Sequence, residues 1–474
     1  MSDTRPDDLR AVFHPRSIAV VGASSDPKKS GAKWVAGLRT AGYSGAIYPV
    51  SAGGGAIAGL HIYRSLSEIP GEVEYVVASV PARSVVQLVD ECIAKRVRFV
   101  QFFTAGFSET GSSEGEHLEH QMLERARRAG MHIIGPNCIG NFCPAAGIPL
   151  GPSPLGKIGT PGSVSFISQS GGIAAKLVEY GIARKVGFCK GISVGNSIDL
   201  NISDFLDYYT GDEDTRIIGA YLEGTRDGRR LFESLRNASA AKPTVIWKGG
   251  RTPAGAAAAR SHTGSLAASA AVWSAMLRQA GAIEARNLEE LTDCLLLLQQ
   301  LGPIRAQNVG IVGGLADGGG GISVSGSDAC NDNDLMVPPL ETATRDRLLE
   351  LIGEVGSILR NPVDVSPAQF RGVATICDAL RVVASDNAVD ILMLQEDVDI
   401  MHSYLGVEET REVNAFLARL PAEMNKPLVV VLPGGSTEEH RVEAEEQLLM
   451  AGIPVFPTMA RAARAVALVS RRPG

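Results

Sequence analysis

The stretch "SIAVVGASSDPKKSG", Ser17 to Gly31, decides the fold. Five residues that are apolar or small, Ser17 to Val21, read as a strand buried on both faces. The small-residue run Gly22 to Ser25 reads as the turn behind it, and the chain then opens a helix. A buried strand, a tight turn and a helix make one βα unit, and units of this kind repeat on either side. "AIYPV" (46–50), "YVVASVP" (75–81), "FVQFFTAGF" (99–107) and "MHIIGPN" (131–137) read as further strands. Helical segments such as "ARSVVQLVDECIAKR" (82–96) lie between them. Strands that alternate with helices pair in parallel through right-handed crossovers.

The same rhythm restarts twice. "PGSVSFISQSGG" (161–172), "KGISVGN" (190–196), "TRIIGAYLEG" (215–224) and "KPTVIWKGG" (242–250) form a second series. The Pro- and Gly-rich joint "CPAAGIPLGPSPLGKIGTPG" (143–162) separates it from the first. The helical run "LEELTDCLLLLQQLG" (288–302) leads into a third series: "NVGIVGGLADGGGG" (308–321), "VDILMLQ" (389–395), "KPLVVVLPGG" (426–435) and "IPVFPT" (453–458). The third series ends in the helix "ARAARAVALVS" (460–470). The sequence therefore predicts an α/β protein of three tandem domains, 1–145, 146–302 and 303–474.

Composition narrows the function classes. Hydrophobic residues make up 45% and charged residues 20%, a globular balance. The net charge of -7 comes with no basic stripe interleaved with aromatics, which argues against nucleic acid as a partner. Seven cysteines, an odd number with no CxxC pair, argue against a disulfide framework or structural zinc and for reduced thiols in a cytoplasmic protein. The polar start "MSDTRPDDLRAVFHPRS" has no signal-peptide stretch, and no apolar run is long enough to cross a bilayer.

The first turn leaves two readings open. Its small residues and helix start suit a phosphate-rich ligand. A plain tight βα turn fits equally. It lacks the full GxGxxG, and Ser51 stands after the second strand where a ribose-binding acid is expected, so a dinucleotide is disfavoured and coenzyme A stays open.

"AAARSHTGSLAAS" (257–269) centres on His262. Ser, Thr and Gly neighbours turn and cap rather than pack, so His262 is expected on an accessible loop just before the helix "LAASAAVWSAMLRQAG" (266–281). An isolated histidine of this kind is more often an ordinary loop residue than a reacting group. No second histidine or cysteine stands at ligand spacing, which argues against a metal. His117 and His120, in "EGEHLEH", read as a solvated acidic helix face. Two other stretches suit a phosphoryl site. "SQSGG" (168–172) is a strand-to-helix turn with backbone amides for an anion. "YLEG" puts Glu223 at the carboxyl edge of a strand, where α/β sheets gather their ligands. A carboxylate there can fix one imidazole nitrogen and leave the other nucleophilic.

Taken in order, "HPRSIAVVGASSDP", "IYPV", "SVPA", "FFTAGFSE", "GPNCIG", "SFISQSGG", "SVGNSIDL", "YLEGTRDGRR", "AARSHTGS" and "NPVDV" (361–365) resemble the α-type half of the nucleoside-diphosphate-forming acyl-CoA synthetases, relatives of succinyl-CoA synthetase. The resemblance covers nearly the whole chain. It implies a CoA-binding Rossmann-like domain followed by two flavodoxin-like domains. Gly22, Ser24, Ser25 and Lys29 would face the CoA phosphates; Val80, Pro81, Thr104 and Ala105 would line the pantetheine path; Asn137 would lie near the thiol. Ser168, Ser170, Gly171 and Gly172 would bind phosphate, His262 would become a transient phosphohistidine, and Glu223 would stabilise it. The implied activity is a reversible ADP-forming acid–CoA ligase working through an acyl phosphate. A small organic acid and its CoA thioester are the expected substrates.

Three α/β series leave no stretch for an ATP-grasp domain and no GxxxxGK[ST] loop. The resemblance thus implies an ATP-grasp β-type partner, in an αβ or α2β2 assembly, that brings ADP/ATP and Mg. Local departures are Ser51, Ala52 and Gly53 after "YPV", "GGLADGGGG" at 313–321, and "GNSID" at 195–199 without a lysine after its asparagine. The competing readings are a nucleotide-independent acyl- or carbamoyl-type transferase on the same scaffold and a CoA-binding regulatory or scaffold protein.

Overall fold

A computed structural model describes residues 9–152, 158–257, 269–315, 320–353, 359–365, 371–424 and 426–471. They fall into two compact units, Met1–Thr292 and Asp293–Gly474.

The first unit holds two sheets. The strands of the first are β1 (Ser17–Val21), β2 (Ala46–Val50), β5 (Tyr75–Ala78), β6 (Phe99–Phe102) and β7 (His132–Ile134), in the order β2-β1-β5-β6-β7 and parallel throughout. A short antiparallel hairpin, β3 (Ala56–Ile57) and β4 (Leu60–His61), sits between β2 and β5 in the chain. Every residue of β1, β5 and β6 is buried, as helices on both faces of a parallel sheet require. The crossover helix Val85–Ala94 buries Val85, Leu88, Val89 and Cys92, spacings that make one apolar stripe.

The second sheet holds β8 (Gly140–Phe142), β9 (Val164–Ser168), β10 (Phe188–Ser193), β11 (Ile217–Leu222), β12 (Thr244–Lys248) and β13 (Ile283–Ala285), in the order β13-β12-β11-β9-β10-β8. Its pairs are parallel except β8, which runs antiparallel to β10 with Ile192 opposite Asn141. A strand that precedes the Pro-rich joint thus pairs with the sheet that follows it. The two sheets share a core: Ile18, Trp34 and Tyr75 belong to the same buried cluster as Ile167, Ile192 and Phe205. Phe13 joins it, its ring stacked 5.5 Å from Tyr208.

One charged side chain is sealed in this sheet. Lys190, 1% exposed, donates to Asp212 at 2.7 Å and Asp214 at 3.0 Å. Cys189, Asp212 and Asp214 cluster closely enough to hold a metal ion, but the Lys190 ammonium already fills the space among them. All seven cysteines are buried free thiols.

The second unit carries a parallel sheet of β14 (Val309–Leu315), β15 (Val363–Asp364), β16 (Ile391–Glu396), β17 (Leu428–Val431) and β18 (Val455–Phe456), in the order β15-β14-β16-β17-β18. Glu396, at the end of β16, is fully buried, and the Asn414 amide donates to its two carboxyl oxygens at 2.9 and 3.1 Å. Arg461 grips Asp293 through two bonds of 2.7 Å. No helix among the described residues is long and apolar enough to cross a membrane.

Candidate active site

The turn after β1 is built for close backbone approach. Gly22 has φ +92°, and a Cβ there would stand 2.1 Å from the Ser79 carbonyl oxygen. A Cβ on Gly31, in the helix that follows, would stand 2.1 Å from the Gly22 carbonyl oxygen. Both positions therefore exclude side chains. The Gly22 and Ala23 amides donate to Val50 O, which ties the turn to β2. Ser25 and Lys29 are exposed and Ser24 half-buried. Lys29 caps the helix Ser30–Thr40, whose first turn holds no acid, so its positive end suits an anion.

The expected pantetheine residues join in a hydrogen-bonded row. Thr104 Oγ1 donates to Val80 O at 2.6 Å, and the Asn137 amide donates to Thr104 O at 2.9 Å. Pro81 caps the short turn after Val80, and Ala105 is exposed beside the buried Thr104.

Asn137 in turn meets the second sheet. The Asn196 amide donates to Pro136 O and the Ile198 amide to Gly135 O, so the "GNSID" loop lies directly on "GPNC". A Cβ at Gly195 would collide with Pro136 O at 2.2 Å. The Asn196 side-chain amide donates to both Glu109 Oε2, at 2.6 Å, and Glu119 Oε1, at 2.7 Å. Burial pushes the Glu109 carboxyl up, but Asn196 and the Gly106 and Phe107 amides outweigh it and hold the acid below its usual range. Asp199 Oδ2 accepts from the Ile133 amide at 3.0 Å and lies 3.2 Å from His132 Nδ1.

The residues expected to bind phosphate stand beside this clasp. Ser170 caps the helix Gly171–Ala183, accepting from the Ile173 amide, and the buried Ser168 hydroxyl donates to Ser170 O at 2.7 Å. A Cβ on Gly171 would stand 3.1 Å from Ile139 Cγ2, two residues beyond Asn137. The structure thus brings the residues expected at the thiol and those expected at the phosphate to one place.

Glu223 lies one strand over, buried at the carboxyl edge beyond β11. Its own amide and that of Gly224 both donate to Gln169 Oε1, the second at 3.0 Å. The Tyr221 hydroxyl donates to Glu223 Oε1 at 3.1 Å. Lys248, 4% exposed at the end of β12, lies with its Nζ 5.0 Å from the Trp273 ring centre. Burial pulls the Lys248 amine below its usual range against the opposing pull of Glu223. The segment after Gly249 leaves from this same edge. His262 lies outside the described residues; the helix after it begins, among the described residues, at Ala270 with Ser269 as cap.

Known proteins share much of this chain. Residues 16–144 match the CoA binding domain family, and residues 161–298 match the succinyl-CoA ligase-like flavodoxin domain. The chain is 36% identical to the acetate–CoA ligase (ADP-forming) I subunit alpha of Pyrococcus furiosus, over 97% of this chain and 96% of that one. It belongs to the ADP-forming acyl-CoA ligases. An acetate–CoA ligase (ADP-forming) I of Archaeoglobus fulgidus is 34% identical over 98% of this chain but 63% of its own length, so that relative is longer. Among solved structures, a dinucleotide-forming acetyl-coenzyme A synthetase 1 of Ca. Korarchaeum cryptofilum, in complex with phosphate and ADP, superposes with a TM-score of 0.83 at 29% identity, over 98% and 96% of the two chains.

Within this ligase fold, sequence reasoning named Ser168, Ser170 and Glu223 but missed Gln169, Tyr221, Asn196 and Lys248. Period-2 alternation could have found Tyr221, which shares a strand face with Glu223. Nothing local marks Asn196, whose carboxylate partners stand 87 and 77 residues away.

Proposed function

We propose that the chain is the α-type subunit of an ADP-forming acid–CoA ligase that interconverts acyl-CoA, ADP and phosphate with acid, CoA and ATP. One observation carries the reading beyond family membership: Ile139, two residues beyond the thiol-end asparagine, packs at Gly171, the first helical residue of the phosphate cradle. The assigned domains are 1–145 for CoA, 146–302 for the phosphoryl relay and 303–474 as the third, flavodoxin-like domain.

A phosphate oxygen held by Ser168, Ser170, Gly171 and Gly172 attacks the thioester carbonyl. The C–S bond breaks, and CoA leaves as a thiolate that takes up a proton. An imidazole nitrogen of His262 then attacks phosphorus; the bond to the acyl oxygen breaks and the carboxylate departs. Glu223 accepts the N–H of the other imidazole nitrogen and balances the charge the ring acquires. A terminal oxygen of ADP takes the phosphoryl group from His262 and regenerates the neutral ring. Gly22, Ser24, Ser25 and Lys29 hold the CoA phosphates, and Val80, Pro81, Thr104, Ala105 and Asn137 guide its arm to the cradle. The nucleotide site belongs to an ATP-grasp β-type partner, which brings Mg, in an αβ or α2β2 assembly. The subunit name of the Pyrococcus furiosus relative and the greater length of the Archaeoglobus fulgidus one both support a second component. The same relatives weigh against a regulatory or scaffold role.

The test is intact-mass analysis after incubation with phosphate and a panel of acyl-CoAs, with and without the partner. One acid-labile phosphate is expected, absent in His262→Ala and strongly reduced in Glu223→Gln. A label that survives His262→Ala, or no label under any condition, refutes the relay.

A further inference from the structure

We infer that Tyr221 is a positioning residue that aims the Glu223 carboxylate, and that Gly249 is a glycine to make room for its hydroxyl and the ring edge that carries it. The inference rests on the phosphoryl relay proposed above and adds to it the group that orients the relay's carboxylate.

Four observations converge on the Tyr221 hydroxyl. It donates to Glu223 Oε1 at 3.1 Å. Its ring is fixed: Tyr221 pairs with Trp247 across β11 and β12, and the rings meet edge-on, 4.6 Å apart. The backbone on which Glu223 stands is fixed separately, because Gln169 accepts from the amides of Glu223 and Gly224 and donates its own amide to Tyr221 O. Lastly, a Cβ on Gly249 would stand 2.4 Å from the Tyr221 hydroxyl oxygen. Gly249 has no left-handed φ, so its backbone would accept alanine; what forbids a side chain there is the tyrosine. The Gly249 amide donates to Leu222 O at 2.8 Å, which seats the start of the segment leading to His262 against the end of the strand that Glu223 follows.

The chemistry follows from this placement. Burial, and then the adjacent carboxylate, push the Tyr221 hydroxyl above its usual range, so it stays a donor at any working pH. A carboxylate has about four acceptor positions. A donor on Oε1 restricts rotation of the whole group and directs the other acceptors. The aim of the carboxylate, not substrate affinity, is what Tyr221 controls.

The experiment measures single-turnover phosphorylation of the full chain by phosphate and the acyl-CoA that labels it. The variants are Tyr221→Phe, Gly249→Ala, Glu223→Gln and the pairwise doubles. Tyr221→Phe keeps the ring on Trp247 and removes only the hydroxyl. It is expected to slow phosphorylation about tenfold at saturating acyl-CoA, with the half-saturating concentration unchanged. Gly249→Ala should slow it similarly in the parent but add little to Tyr221→Phe. Tyr221→Phe should add nothing to Glu223→Gln. Thermal midpoints of all variants separate a lost aim from a lost fold. Full-rate phosphorylation in Tyr221→Phe, with Glu223→Gln slow, overturns the inference and leaves the relay standing. Full additivity of Gly249→Ala with Tyr221→Phe overturns the steric half. Full-rate phosphorylation in Glu223→Gln overturns the role given to Glu223 in the relay and the inference with it, whereas a label that survives His262→Ala overturns the relay itself.

Discussion

Replacing Asn196 tests the clasp that joins the first two sheets. Its side chain supplies one N–H to Glu109 and one to Glu119. Glu119 is buried, 7% exposed, and also accepts from Ser108 Oγ at 2.8 Å. Glu109 is half-exposed and keeps the amides of Gly106 and Phe107. A hydrogen bond to a buried charged acceptor contributes about 2 kcal/mol, and a partly solvated one about 1. Asn196→Ala should therefore destabilise the first unit by about 3 kcal/mol, a fall of roughly 6–9 °C in thermal midpoint. Asn196→Asp should lose more at neutral pH, because it sets a third carboxylate against two.

The pH dependence separates the two variants. In the parent, the folded-state pKa of Glu109 is depressed. That stability is present above the unfolded value and is lost as pH falls through the folded one. In Asn196→Asp the crowded acids take up protons more readily folded than unfolded. Its excess destabilisation should therefore fade as pH falls toward about 4. Scanning calorimetry of the three proteins from neutral pH to about pH 4 reads both effects. Equal midpoints for Ala and Asp at every pH would sink the clasp as described. Phosphorylation by phosphate and acyl-CoA together should fall in both variants, since the loop they loosen sets Asn137 and Ile139 against Gly171.

Two further outcomes concern buried charge. Lys190→Ala should destabilise the first unit by about 3 kcal/mol by leaving the largely buried Asp212 without its cation, whereas Lys190→Met, which fills the volume, should lose less; denaturant midpoints with equal losses would contradict this. Glu396, whose pKa burial raises to about 8, is neutral in the folded state at neutral pH. Its stabilising contribution is complete below the unfolded value and is lost as pH rises through about 8. Glu396→Gln should accordingly flatten the alkaline loss of hydrogen-exchange protection in the strand Ile391–Glu396, and an unchanged profile would refute it.

Most strands of the three sheets were legible because parallel strands buried on both faces are short apolar runs, and "SIAVV", "FVQF" and "LVVV" admit little else, whereas the two- and three-residue edge strands Ile283–Ala285 and Val363–Asp364 are too short to show a pattern. The placement of Glu223, Ser168 and Ser170 at strand ends was legible because a strand end followed by small polar residues is a local signal. The strand Gly140–Phe142 was not: "GNF" carries no period, and its pairing to Ile192 depends on a partner fifty residues away. The Asn196 clasp and the Lys190 pair were hidden for the same reason. Their chemistry exists only when distant loops meet, and an asparagine or lysine alone reads as surface.

The crossing of Gly140–Phe142 into the second sheet bears on how this protein can be cut and recombined. The Pro-rich joint looks like a seam at which a CoA-binding module could be lifted out and spliced elsewhere. Severed there, the excised piece would carry an orphan ribbon with no sheet to complete. The remainder would expose the open flank of Phe188–Ser193, a template for association with other chains. A gene that shuffles these modules intact must move both together, or rebuild the missing edge at each new junction.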